Sequence, residues 1–428
     1  MNEIGALSFN QRNSILFSVL LLIGMPCLAI DNPHFYRANF FWQEVRFDKP
    51  WLTSFDIPFA GGSTTTARNQ EGEKTSLLNI YGPSHMKVLG ENVPTLNPAN
   101  PLDLILIDLI ALPDQPNFGY LGFDGHFTTI ELPFNVYQNV CNGFFLQAYW
   151  PLRHLQIRSI AWTDLTPTTG FPNKETPAWQ AFLANFPAIM RRWGQSISSF
   201  STTAMGDLTL LAGWSHTHVD TCSIDYIDVS TKIGVLLPTG RPRSLTNPFS
   251  LPSGYNGHYG MPLKFVMGIG YWEWLTLGLH IGALFLFDQT APLKVKTAAD
   301  QNGFIKLAQT NAKIDAGTLW DIAGYVKADH FLRGLSLFAG YTYTRKDADC
   351  IKVADTSLSD PLIINSDPQY RGWQMHVLHW IVEYDFTHCP IGFGGRASFF
   401  YNQIIGGKRI FNTGMTGFLC GFDYSWCF

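Results

Sequence analysis

Few residues in this chain sit where side chains could do catalysis together. A lipid hydrolase would need a serine activated by a histidine that a polar group orients. The nearest fragments are Gly125-His126-Phe127-Thr128 and Asn256-Gly257-His258, and neither places a serine in a His-x-Ser-Asn arrangement. "HTHVDTC" sets His216, His218 and Cys222 at metal-like spacing, but no second ligand cluster follows nearby. "GFGGR" (392–396) lies inside an alternating segment, where glycines allow close strand packing rather than cradle a phosphate. No enzyme, metal or cofactor reading follows from these pieces. Most titratable groups instead occur singly, on alternate positions of otherwise apolar stretches.

Composition explains such a pattern. Only 14% of residues are charged and 14% are aromatic, with 38 glycines in 428 residues. Soluble domains usually carry ~25% charged residues. The chain opens with Arg12 and an apolar run, then Cys27-Leu28-Ala29, which reads as a signal peptide over 1–29. No later run is apolar for the ~20 residues a spanning helix needs. Export with so little charge points to lipid as the second solvent, where a sheet must close on itself. The net charge of -4 speaks against a nucleic-acid partner.

From about residue 119 the chain alternates in ~10-residue segments, the pattern of a transmembrane β-barrel. The expected fold class is all-β, an antiparallel barrel of about twelve strands with ten to fourteen as the range. The segments lie near 119–129, 131–139, 143–156, 205–217, 225–237, 260–272, 274–288, 315–329, 334–346, 372–387, 391–404 and 410–428. Every second link is short, at 140–142, 218–224, Glu273, 330–333 and 388–390. The other set includes 157–204, 238–259, 289–314 and 347–371, which should face outward. The barrel is therefore expected over 119–428. Residues 30–118 read as a plug tucked into it, or as two further strands making fourteen. "TPAWQAFLANFPAIMRRWGQ" carries a Thr cap, Pro177 at the first helical position, and Trp179, Phe182, Phe186, Ile189 and Met190 at helical spacing. It reads as an extracellular cap helix that Pro187 should kink.

Turning the polar faces inward gives a lumen of Asp124, His126, Glu131, Arg153, Asp207, Asp228, Lys232, Lys264, His280, Asp321, Lys327, Asp329, His379, Glu383, Arg396 and Asp423. Both signs interleave, so these groups should pair rather than form the single-sign ring of an ion-selective pore. The expected function is passive uptake of small, uncharged or hydrophobic molecules. Two alternatives remain: a structural or adhesive surface barrel acting through its loops, and a lipid-modifying enzyme.

The last strand ends "FLCGFDYSWCF", with Phe418, Cys420, Phe422, Tyr424, Trp426 and Phe428 on one face. This ending resembles the β-signal of bacterial outer-membrane barrels, with Phe422, Tyr424, Trp426 and Phe428 as its aromatics. The resemblance implies the barrel-assembly machinery as a partner, beside a lipid bilayer with lipopolysaccharide and a small-molecule solute. A second resemblance rests on Gly206-Asp207-Leu208 and Leu237-Pro238-Thr239-Gly240, within "MGDLTLLAGW" and "STKIGVLLPTGRP". They are similar to motifs of the outer-membrane family associated with the meta-pathway of phenol degradation. That family is grouped loosely with long-chain fatty-acid transporter-like barrels, which implies uptake of hydrophobic molecules. Cysteines at the periplasmic rim suggest Cys389–Cys427 and Cys141–Cys222 bridges, in a compartment that permits them.

Overall fold

The structure is a computed structural model that describes residues 33–41, 52–86, 96–110, 119–167, 175–221, 224–272, 274–332, 334–353, 360–386 and 394–425. Twelve antiparallel strands form the wall. They are β1 (Leu52–Thr64), β2 (Tyr120–Cys141), β3 (Phe144–Asp164), β4 (Leu208–Thr221), β5 (Ile224–Leu237), β6 (Gly260–Tyr271), β7 (Leu275–Leu286), β8 (Leu319–Leu332), β9 (Leu335–Lys346), β10 (Trp373–Asp385), β11 (Gly394–Lys408) and β12 (Met415–Ser425). Each pairs with its neighbours in sequence, and β1 closes the ring by pairing with both β12 and β2. Closure leaves no sheet edge unpaired, which is the condition for sitting in lipid.

Alternation sorts the two faces. Phe55, Ile57, Phe59, Phe134, Leu146, Ile233, Val235, Leu277, Ile322, Val326, Leu337, Val382, Phe399 and Phe418 all point outward and stay exposed. A soluble protein rarely exposes an apolar patch beyond a few hundred Å², and this belt circles the barrel. Each such side chain placed in hydrocarbon contributes roughly 1.5–3 kcal/mol relative to water. Trp272, Trp274, Tyr384 and Tyr424 cluster outward near the short-turn end, as an interfacial girdle would. The chain is a transmembrane β-barrel.

Twelve strands were expected, but two of them differ in origin. Residues 119–129 and 131–139 do not form a pair; they are halves of the single 22-residue β2. Ile130 faces out and Glu131 in, so the alternation runs on without a turn residue. The missing strand is β1, and the barrel begins at Leu52 rather than 119. Its Ser54, Asp56, Pro58 and Ala60 face in, while the run of glycine and threonine at its end resembles a loop in sequence. Within the link that follows β1, "SLLNIYG" holds a 3-10 turn at Leu77–Asn79.

The long links gather at one end as expected. The links 142–143, 222–223, 272–274, 333–334 and 386–393 join strands at one end, and 65–119, 165–207, 238–259, 287–318, 347–372 and the short 409–414 join them at the other. Asn142 (φ 49°) and Gly143 (φ 83°) both take left-handed backbone, the signature of a two-residue type I′ hairpin. With the short turns in the periplasm, protease added to intact cells should cut within 165–207, 238–259 or 347–372. Cleavage seen only after the outer membrane is permeabilised would reverse this orientation.

The long links build a lid. Helix α1 (Pro101–Ile110) packs on α2 (Pro177–Arg192), and Arg192 grips Asp103 through two bonds of 2.5 and 2.6 Å. Thr176 caps α2 by accepting from the Trp179 amide at 3.3 Å, and the helix continues through Pro187 to Arg192. Its apolar face, Trp179, Phe182, Phe186, Ile189 and Met190, is buried. That face joins Leu78, Leu106, Phe123, Phe127, Phe249 and Phe304 in one cluster over the outer mouth. A short helix α3 (Pro361–Asn365) lies in the 347–372 link.

Candidate functional site

The lumen is filled, and the filling is part of the chain's own N-terminal region. Residues 33–41, "PHFYRANFF", run from the lid down to the middle of the barrel and are almost wholly buried. At the top, the Tyr255 hydroxyl donates to the Pro33 carbonyl (3.1 Å), and the Tyr36 hydroxyl to that of Pro252 (3.2 Å). Backbone bonds tie the Ala38 amide to the Thr413 carbonyl (2.9 Å) and the Phe411 amide to that of Phe35 (2.8 Å). Lower down, the Asn39 amide donates to Thr344 at 2.6 Å. Phe41 ends in a box of rings, with Phe338, His379, His280 and Tyr325 centred 4.5 to 5.4 Å away.

One ionic cluster locks this thread to the wall. Glu131, fully buried on β2, lies 2.7 Å from the Arg37 guanidinium and 3.1 Å from that of Arg153 on β3. Arg153 also meets His34 at 2.8 Å and donates to the Ser253 carbonyl. Burying charges costs several kcal/mol per ion and is tolerated only with close, multiple partners. The carboxylate bridges the N-terminal segment and the wall.

Below the thread, the expected inward residues pair across strands. Arg396 holds Asp56 at 2.5 Å, and Lys327 lies 3.1 Å from Asp329 and 3.8 Å from Glu383. Ser398 donates to Glu383 and Ser336 to Asp329, each at 2.9 Å. Midway, His379 meets Asn402 (2.9 Å) and Thr342 (2.8 Å), while His280 is 4.0 Å from Asp321. Lys232 donates to Gln147 at 2.9 Å, sits over the Tyr137 ring, and faces Lys264 across β5 and β6. Asp228 and Asp423 also point inward, opposite Gly268 and Gly394. A cleft of only about 30 Å³ remains between Phe40, Phe41 and the wall at Pro58, Glu383, Arg396 and Leu419.

Three inward assignments need correction. Asp124 and His126 face outward, because β2 keeps one parity throughout and puts Phe123 and Phe127 inside. Asp207 is buried but lines no pathway. Its carboxylate accepts the amides of Gly240 (2.8 Å) and Tyr255 (2.5 Å) and so clasps the 238–259 link. Thr239 completes the clasp, donating to the Gly206 carbonyl at 2.7 Å and accepting the Leu208 amide at 3.0 Å. Gly254 must be glycine here, since a Cβ would come within 2.3 Å of the Asp207 carboxylate. The two short motifs noted in the sequence are thus the halves of one loop staple.

The remaining candidates are spread apart. His258 bonds the Phe287 carbonyl at 2.7 Å, and His216 stacks on Trp214 on the outer face. Phe418, Cys420, Phe422 and Tyr424 share the outward face of β12, while Trp426 and Phe428 lie outside the described residues. Cys141 is an exposed free thiol; Cys222, Cys389 and Cys427 lie outside the described residues. Sequence reasoning missed Arg37, Asn39 and Phe41. The signal available was a lone arginine among aromatics in "HFYRANFF", directly after the expected cleavage point.

No family model matches the chain, and no curated protein matches it in sequence. Among solved structures it is similar to an outer-membrane channel of Pseudomonas putida F1, with TM-score 0.49, 10% identity, and coverage of 89% of this chain and 100% of that one. The translocator domain of the autotransporter NalP of Neisseria meningitidis aligns with TM-score 0.35 and 10% identity, covering 89% of this chain and 90% of that one. The monoaromatic hydrocarbon channel CymD aligns with TM-score 0.32 and 8% identity, covering 88% and 90%.

Proposed function

We propose that this barrel is an outer-membrane channel for passive uptake of small, uncharged or hydrophobic molecules, held shut at rest by its own residues 33–41. The observation that carries this reading is the nature of the obstruction. The wall encloses a lumen, and among the described residues what fills it is the segment 33–41, held by side-chain bonds, ring contacts and one ion pair instead of by strand pairing. Evenly paired charges give the lumen no strong field of either sign, so an ion would gain little there in exchange for its hydration. The apolar lid above and the aromatic box around Phe41 suit a solute with little charge. The motif resemblance, through the hydrophobic uptake it implies, agrees with this class.

Liposome swelling tests it. Vesicles carrying the full chain should swell slowly in small neutral solutes, and more slowly still in salts of similar size. A variant lacking residues 33–41 that admits no solute of any kind would overturn the channel reading.

A further inference from the structure

A second cavity, of about 530 Å³, opens at the outer surface between residues 69–83, 296–302 and 366–371. It is sealed from the lumen, because Ile80 is buried beneath it in the lid cluster and Tyr81 packs on Phe304 at 4.9 Å. Three separate outer links meet here, so the cleft is a product of the loop architecture and not of the wall. Its size, about 530 Å³, falls within the ~300–1,000 Å³ usual for ligand pockets.

Its walls carry hydrogen-bonding groups that the protein leaves unused. Gln70, Glu71, Asn302 and Arg371 are exposed in it, and their side chains make no hydrogen bond among the described residues. Asn79 spends its carbonyl oxygen on the Phe123 amide (2.9 Å), which leaves its amide donors over. Lys296 is 2% exposed, yet its ammonium reaches only the Ala299 carbonyl at 2.9 Å. Burial pushes that ammonium down, Asp367 and Asp300 draw it back up, and Lys306 and Arg371 press it lower.

We propose that this cleft binds a saccharide carrying an anionic group. Amide side chains offer a donor and an acceptor side by side, which matches the adjacent hydroxyls of a sugar. Lys296 and Arg371 both line the cleft, where an anion would gain charge-assisted bonds. Glu71 stands on a different loop and accepts from hydroxyls there. Carboxylate and phosphate sugars share this chemistry.

Calorimetric titration of the full chain in detergent decides the matter, with trigalacturonate and glucose 6-phosphate as probes and maltotriose as the neutral control. At least one anionic probe should bind saturably with a Kd at or below about 1 mM, and maltotriose much more weakly. Comparison of the two identifies the anionic group. Arg371→Gln and Asn302→Ala should each weaken binding on the order of tenfold, with liposome swelling unchanged because both positions are exposed. Absence of binding by both anionic probes, maltotriose binding as tightly as either, or full affinity in both variants would each overturn the proposal.

Discussion

Removing residues 33–41 should turn a nearly closed barrel into an open one, raising the swelling rate in neutral solutes about ten- to a thousandfold. The range follows from the usual population of a minor conformer, ~0.1–10% at equilibrium, which becomes the whole population when the obstruction is gone. The wall should survive, since its backbone bonds run strand to strand and close without the thread. Heat-modifiable migration on gels would confirm a folded barrel in the same preparation. A folded variant that swells vesicles no faster than the parent chain would show that the lid, and not the thread, holds the pathway shut.

Glu131→Gln should reproduce much of that opening from a single atom change. The substitution keeps the shape but leaves Arg37 and Arg153 without the carboxylate they share. Removing one partner of a buried ion pair costs ~3–5 kcal/mol. Arg153 is fixed in β3 and keeps the Ser253 carbonyl, whereas Arg37 and His34 can leave together with their thread. The cost should therefore appear as undocking, shifting the closed-to-open ratio by roughly two to three orders of magnitude at ~1.4 kcal/mol per tenfold. Arg37→Gln should open the channel less, because Glu131 and Arg153 still neutralise each other. A single cysteine placed at Asn39 would report undocking through its rate of alkylation. Equal swelling by Glu131→Gln and the parent chain, with that cysteine still protected, would remove the ionic lock from the account.

Much of this architecture was legible because lipid imposes period-two alternation on every strand. Ile233 and Val235 facing out against Lys232 facing in, or Ile322 against Asp321, could be read one residue at a time. The same holds for α2, whose capping threonine and apolar spacing are local features. Asp124 and His126 were misplaced for a related reason: parity is reliable only within one strand, and a turn supposed at residue 130 reversed it for everything before.

Residue types and spacing in the sequence thus determined a closed barrel, the gathering of its long loops at one end and the mixed charge of its interior, while twelve strands were reached through one strand split in two and one missed. These are consequences of short-range periodicity and turn chemistry, which act between neighbours in the chain. Only the tertiary structure decided that Leu52–Thr64 closes the ring, that Asp207 staples a loop instead of lining a path, and that Arg37 meets Glu131 and Arg153. Those contacts join residues from 33 positions apart (Asp207 and Gly240) to 373 positions apart (Leu52 and Ser425). No local pattern encodes them, because a buried charge chooses its partner by where the closed wall happens to place one.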